Sequence, residues 1–148
     1  MEIRNIIDSV LDKGYLLSLG TVDDGGVWVA DLIYVHDSDF NIYWLSRADA
    51  RHSKALERNT EVAGTISLSN DPAEKDIGLQ LTGFAENFDV FLPEMTIEYI
   101  RKRRRPQIRD AMEILKSGKL SWYKLKPRRI ELIYEELFGH EKKILEIE

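Results

Sequence analysis

Cysteine is missing from all 148 residues of the chain, which excludes disulfides, thiolate zinc sites and cysteine nucleophiles. Histidine is scarce. His36, His52 and His140 are the only three, leaving little room for a histidine-rich metal centre or a triad enzyme. No apolar run approaches the roughly 18–20 residues that a membrane-spanning helix needs. The opening Met1-Glu2-Ile3-Arg4 mixes charge into its first turn and lacks the apolar core of a signal peptide. Positive charge is in deficit: 21 Lys and Arg stand against 26 Asp and Glu, a net −5. A dedicated nucleic-acid binder has a basic footprint instead. A soluble cytoplasmic protein is the expectation.

What is present reads as one domain, residues 1–148, with 43% hydrophobic residues to fill a core. Ile3, Ile6, Ile7, Val10 and Leu11 recur at helical spacing, with Gly14 where a C-cap belongs. From Tyr15 onward the pattern is that of strands. Tyr15–Leu19 is the first, Asp23-Asp24-Gly25-Gly26 supplies a turn, and Val27–His36 is the second, apolar on both faces as in a barrel covered outside as well. Ile42–Ser46 is the third strand, Arg51–Arg58 a short helix with Ala55 and Leu56 inward, and Glu61–Leu68 the fourth strand. Ile77–Phe88 is the fifth, with a bulge expected at Gly83.

Pro93–Arg105 and Gln107–Ser117 read as two helices, closed by Pro106 and Gly118. Trp122–Leu125 and Arg129–Tyr134 return to strand. Lys142–Ile147 adds a last strand, with Ile144 and Ile147 expected inside. The short connections favour antiparallel pairing. The fold expected is mainly β with peripheral helices.

The chemistry concentrates where the third strand meets the short helix, at Ser46-Arg47-Ala48-Asp49-Ala50-Arg51-His52-Ser53-Lys54. Cations normally gather at helix C-termini, because the N-terminal end of the dipole is already positive. Three basic side chains at the start cost roughly 0.3–1 kcal/mol each if exposed, and a bound anion reverses that sign. Free N–H groups with Arg, Lys and hydroxyl donors suit a phosphate. A solvated basic turn accounts for the same residues. Arg101-Lys102-Arg103-Arg104-Arg105 is the densest basic run, and a solvated helix end is the simpler account; an anionic ligand, the acidic C-terminus or, more weakly, nucleic acid are the others. Asp23-Asp24 and Glu135-Glu136 read as surface turns rather than metal ligands. Trp28, Trp44 and Trp122 read as core or interface aromatics. Asp31, inside an apolar strand, must pair with a cation, face a ligand groove or meet solvent.

Element order and these residues resemble the pyridoxamine 5′-phosphate oxidase-like FMN-binding split barrels. The resemblance rests on Ile42-Tyr43-Trp44-Leu45-Ser46, on Arg51-His52-Ser53-Lys54-Ala55-Leu56, and on Asn59 before Val62-Ala63-Gly64-Thr65-Ile66. Gln80-Leu81-Thr82-Gly83-Phe84-Ala85-Glu86 and Trp122-Tyr123-Lys124-Leu125-Lys126-Pro127-Arg128-Arg129-Ile130 extend it. It implies an antiparallel six- to seven-stranded split β-barrel, with an N-terminal helix, a short helix after the third strand and a helical pair before the last strands. It also implies FMN held non-covalently at the interface of a homodimer, with a small-molecule substrate and NAD(P)H as a donor.

By position, Arg51, His52 and Lys54 would face the phosphate, with Ser53 in the same turn. Ser46 and the Leu45 backbone would border the phosphate or ribityl chain. Ala30, Asp31 and Leu32 would lie along the ring, and Gln80 would reach the flavin. His52 stands where the family has lysine, and Thr60 where it commonly has proline. Phe138-Gly139-His140-Glu141-Lys142-Lys143 replaces the segment that binds pyridoxamine 5′-phosphate, so that oxidation is not expected. In this segment His140 or Lys142 would approach the partner's flavin, or His140 is an exposed turn residue. The function expected is a flavin-dependent oxidoreductase; the other reading is a non-catalytic flavin- or haem-binding dimer, and a deazaflavin would suit the same groove.

Overall fold

The computed structural model describes residues 2–88, 90, 92–104 and 118–148. Helix α1 (Ile3–Lys13) buries Ile6, Ile7, Val10 and Leu11 along one face. Gly14 follows in extended backbone, at φ −72°, not in the left-handed form of a glycine cap. Its reason is close approach: a Cβ there would stand 2.5 Å from Tyr34 Oη and 2.9 Å from Ile66 Cγ2.

Strands β1 (Leu16–Asp23) and β2 (Gly26–Ile33) form a hairpin paired from Leu16↔Ile33 to Asp23↔Gly26. Gly26 takes φ +104°, which the tight turn demands. The expected strand 27–36 breaks at Tyr34, and β3 (Val35–His36) then pairs with β4 (Ile42–Arg47). After β4 come α2 (Arg51–Leu56), β5 (Glu61–Ser67), β6 (Ile77–Asn87) and α3 (Pro93–Arg103). β7 (Leu120–Tyr134), α4 (Glu135–Phe138) and β8 (Lys143–Glu146) complete the described chain. Strand order is β2-β1-β5-β6-β7-β4-β3, all antiparallel, with β8 added beside β7. Because β2 and β3 are successive pieces of one segment, the ring closes through the break at Tyr34. The result is a mainly β split barrel with peripheral helices.

Further expectations change. The segments 122–125 and 129–134 are one strand, β7, which runs through Pro127. It does so at a bulge: Thr82 pairs with Arg129 but Gly83 with Pro127, leaving Arg128 as the extra residue. A proline in a strand interior is tolerated at such a point, and a Cβ on Gly83 would lie 2.2 Å from the Lys126 carbonyl oxygen. On β8, Ile144 is 47% exposed, whereas Leu145 and Ile147 pack on the core, as a period of two requires. Outward residues of β2 are uncovered: Val27 is 75% and Val29 60% exposed. Helix α4 has no counterpart in the sequence reading. The helix expected over 107–117 lies outside the described residues.

The interior is a single apolar cluster in which Leu17, Leu19, Trp44, Ile66, Leu79, Leu125, Ile130 and Leu132 are fully buried. Burying each such side chain is worth about 1.5–3 kcal/mol. A second cluster, Val35, Tyr43, Leu45 and Trp122, lies between the outer side of β4 and β7 and residues of α3 such as Met95 and Tyr99. Helix α3 thus covers one side of the barrel. The opposite side, the outer face of β1, β5 and β6, is open, and both cavities described below lie on or beside that uncovered half.

Candidate functional site

Strand β4 delivers Ser46 to the barrel rim, and α2 begins five residues later. The N-cap, Ala50, contributes no side-chain hydrogen bond, and the first turn holds no acidic residue. Helix starts usually carry both. Arg51 occupies that turn. Its Nε donates to Asp23 Oδ2 at 2.8 Å and its Nη2 to Asp23 Oδ1 at 3.0 Å, a bidentate fork onto the β1–β2 hairpin. The same guanidinium lies 4.3 Å from the Trp28 ring centroid. A Cβ on Gly25 would stand 2.9 Å from Arg51 Nη2, so the glycine leaves the fork its space. The Arg51 hydrogen bond holds the Asp23 carboxyl below the ordinary carboxylate range.

An open cleft of about 950 Å³ runs between the hairpin turn and α2, lined by Arg51, Lys54 and Arg58 together with Asp23, Asp24, Asp49 and Glu57. Arg58 Nη1 reaches Asp24 Oδ2 at 3.1 Å. The cleft is thus of mixed charge, and its cations are exposed. The Ser53 side chain is buried, and its hydroxyl has no hydrogen-bond partner. An orphaned buried hydroxyl in the first turn of α2 is a donor without an acceptor.

His52 turns the other way. Its Nε2 shares a 2.9 Å hydrogen bond with Ser46 Oγ, and burial pushes its pKa down. At neutral pH the ring is therefore an uncharged partner of Ser46. Leu45 is buried in the second cluster and presents its backbone alone.

The remaining expected residues gather elsewhere. Asp31 is exposed and accepts a 2.6 Å bond from Ser18 Oγ across the hairpin, which decides among the three readings of that carboxylate. Leu32 and Ala30 point into the core. Gln80 lies on the open outer face, where Lys142 Nζ donates to its Oε1 at 2.7 Å. Ser18 and Gln80 both line a second depression, of about 410 Å³, on that face. The structure therefore brings Arg51 and Lys54 to one cleft, joins Ser46 to His52, and sets Asp31, Gln80 and Lys142 along the outer sheet. His140 is exposed before β8.

Two partners of Arg51, Asp23 on the cleft wall and Trp28 under its guanidinium, carried no such role in the sequence reading. Trp44 and Trp122 are buried in the core as expected. No group of three or more acidic or histidine side chains able to hold a metal occurs among the described residues. Among the described residues of the basic run at the end of α3, Lys102 departs from a solvated helix end. Lys102 Nζ donates to the Leu11 and Gly14 carbonyls at 2.9 and 2.7 Å and lies 4.1 Å from the Tyr34 ring centroid.

No family model matches the chain. A UPF0306 protein of Photorhabdus laumondii is 33% identical over 83 residues, 55% of this chain and 58% of that protein. The match therefore spans little more than half of that relative's length. Among solved structures, HutZ, a haem storage protein of Vibrio cholerae, superposes with a TM-score of 0.68 at 16% identity over 99% of this chain and 95% of its own. A haem-binding protein of Mycobacterium smegmatis gives 0.75 at 13% identity over 99% of this chain and 58% of its own. A candidate pyridoxamine 5′-phosphate oxidase of Listeria innocua gives 0.64 at 16% identity over 88% and 98%. The chain has the split-barrel fold of the pyridoxamine 5′-phosphate oxidase-like proteins. No helix among the described residues is long and apolar enough to cross a membrane.

Proposed function

We propose that this chain binds FMN, with the phosphate end in the α2 cleft, and acts as a flavin-dependent oxidoreductase toward a small molecule. The observation that carries this reading is the Arg51 fork. It already grips a carboxylate in the bidentate manner that also suits a phosphate, at a helix start with no side-chain cap and no acidic residue in its first turn. Ser53 of the same turn is buried with an unpartnered hydroxyl and does not line the cleft, so it is not assigned to the phosphate. Lys54 supplies a second cation on the cleft wall. In this account Asp23 occupies Arg51 until a phosphate displaces it.

Ser46 and the Leu45 backbone border that end of the site, with His52 fixing the Ser46 hydroxyl. Gln80 and the exposed Asp31, held to Ser18 of the same depression, are assigned to the ring end; the Leu32 side chain is in the core, so that residue offers only its backbone. The flavin, when bound, supplies the hydride and electron chemistry, with NAD(P)H a suitable donor. The chain's own part is to bind, orient and shield. Pyridoxamine 5′-phosphate is not the substrate proposed, because residues 138–143 offer a turn and lysines instead of the oxidase's own segment.

The working unit is proposed to be a homodimer with FMN at its seam. The exposed outward residues Val27 and Val29 of edge strand β2 and Phe84 of β6 support this, since uncovered apolar side chains on a sheet invite a partner. A second reading, a haem-binding dimer without catalysis, has the haem proteins among the structural neighbours and exposed His140 in its favour. Mixing the purified chain with FMN or with haemin and removing free ligand separates the two. The expected result is retained flavin absorbing near about 450 nm. Retention of haemin with no retention of FMN would overturn the first reading in favour of the second.

A further inference from the structure

Gln80 sits between Thr65 on β5 and Glu131 on β7, at the second depression. A carboxamide is ambivalent, with an accepting oxygen at one side and two donors at the other. Free to rotate, it would serve a ligand donor or a ligand acceptor equally well. Lys142 removes that freedom. An ammonium group only donates, so the atom 2.7 Å from Lys142 Nζ must be the carbonyl oxygen Oε1. Both Nε2 donors are thereby left for another partner.

Lys142 is itself held. Its Nζ lies 3.6 Å from Glu131 Oε1, and Glu131 Oε2 accepts from Arg129 Nε at 3.1 Å. Arg129 in turn bonds Glu146 of β8. The Arg129 hydrogen bond keeps the Glu131 carboxyl below the usual range, so it stays ionised at neutral pH. Cations and anions alternate along this line and cancel, and it ends on a neutral amide. Beside that amide the depression is lined by small and uncharged residues, Ser18, Gly20, Ala63 and Thr65 among them, and its charged lining residues, Arg129 and Glu131, are paired with each other. A neutral, planar ligand edge bearing a carbonyl or ring-nitrogen acceptor suits such a surface; a charged group does not.

We infer that Lys142 is a positioning residue that fixes Gln80 as a hydrogen-bond donor toward an acceptor on the flavin ring. This rests on the FMN reading and adds to it a residue outside the phosphate cleft.

Two readouts on the full chain test it. The Gln80 side-chain amide signals, identified by their loss in Gln80→Glu, should report a rigid carboxamide in the wild type and in Lys142→Arg, and a mobile one in Lys142→Met. FMN titration should show affinity falling roughly fivefold in Lys142→Met, with a shifted flavin band, and recovering in Lys142→Arg. Unchanged Gln80 signals in Lys142→Met would overturn the positioning. Full FMN affinity and an unshifted band in that variant would overturn the link to the ring. A wild-type chain that takes up no FMN would overturn the flavin reading, and with it the ligand named here, while the amide signals still decide the positioning.

Discussion

Arg51 and Lys102 come from the two basic segments of the chain, and their surroundings are opposite. Arg51 opens a helix and faces an exposed hairpin carboxylate and one face of Trp28. Lys102 lies near the end of a helix and is half-buried against two main-chain carbonyls and the Tyr34 ring. The Asp23 side chain can swing aside when another anion arrives. The Leu11 and Gly14 carbonyls cannot, since they belong to the C-terminal turn of α1 and the residue after it. There a cation also complements the helix dipole. Charge density alone would rank first the segment whose Lys102 is already committed to main-chain carbonyls. What separates a binding residue from a structural one is whether its present partner can leave.

The largest effect expected from this contrast is on stability. Lys102→Met keeps the stem but strips the donor from two carbonyls, and should cost about 2 kcal/mol in denaturant unfolding, with FMN uptake intact. A variant as stable as the wild type would place Lys102 among ordinary surface lysines. Burial pushes the Lys102 pKa from 10.5 down to about 8. Between those values the unfolded chain holds the proton more often, so this contribution to stability rises with pH. It is complete above 10.5 and lost as pH falls through about 8. The difference in unfolding free energy between wild type and Lys102→Met should follow that slope; a flat difference would contradict the burial of the amine. A smaller effect is expected at the other cation. Asp23→Asn frees the Arg51 fork and should tighten FMN roughly threefold, with little change in stability because the pair is exposed. Weaker binding would make Asp23 a support of the site instead of a competitor for it.

Much of the barrel was legible before its coordinates. The alternation in β1, β5 and β6, the Asp24-Gly25 turn and the bulge at Gly83 all follow from local residue choice. Continuity of β7 through Pro127 was not legible, because a proline signals a break unless the neighbouring strand supplies a bulge opposite it. The same division holds at the site. The strand-to-helix turn bearing Ser46 and Arg51 is visible as a pattern. Its partners are not: Asp23 lies 28 residues before Arg51, and only the closing of the barrel brings them together. Lys102 is an extreme case, meeting carbonyls 91 and 88 residues away that exist as acceptors only because α1 ends there. Trp28 reads as core or interface; its exposure rules out the core, and its stacking on a guanidinium has no mark in one dimension.

The phosphate grip of Arg51 is the claim on which the functional account stands, and comparing FMN with riboflavin tests it with no assumption about substrate. The two ligands share a ring and differ in the phosphate. The wild-type chain should prefer FMN by roughly tenfold or more, and Arg51→Ala should lose that preference while retaining its fold. Equal affinity for the two ligands in the wild type, or an undiminished preference in Arg51→Ala, would contradict the account.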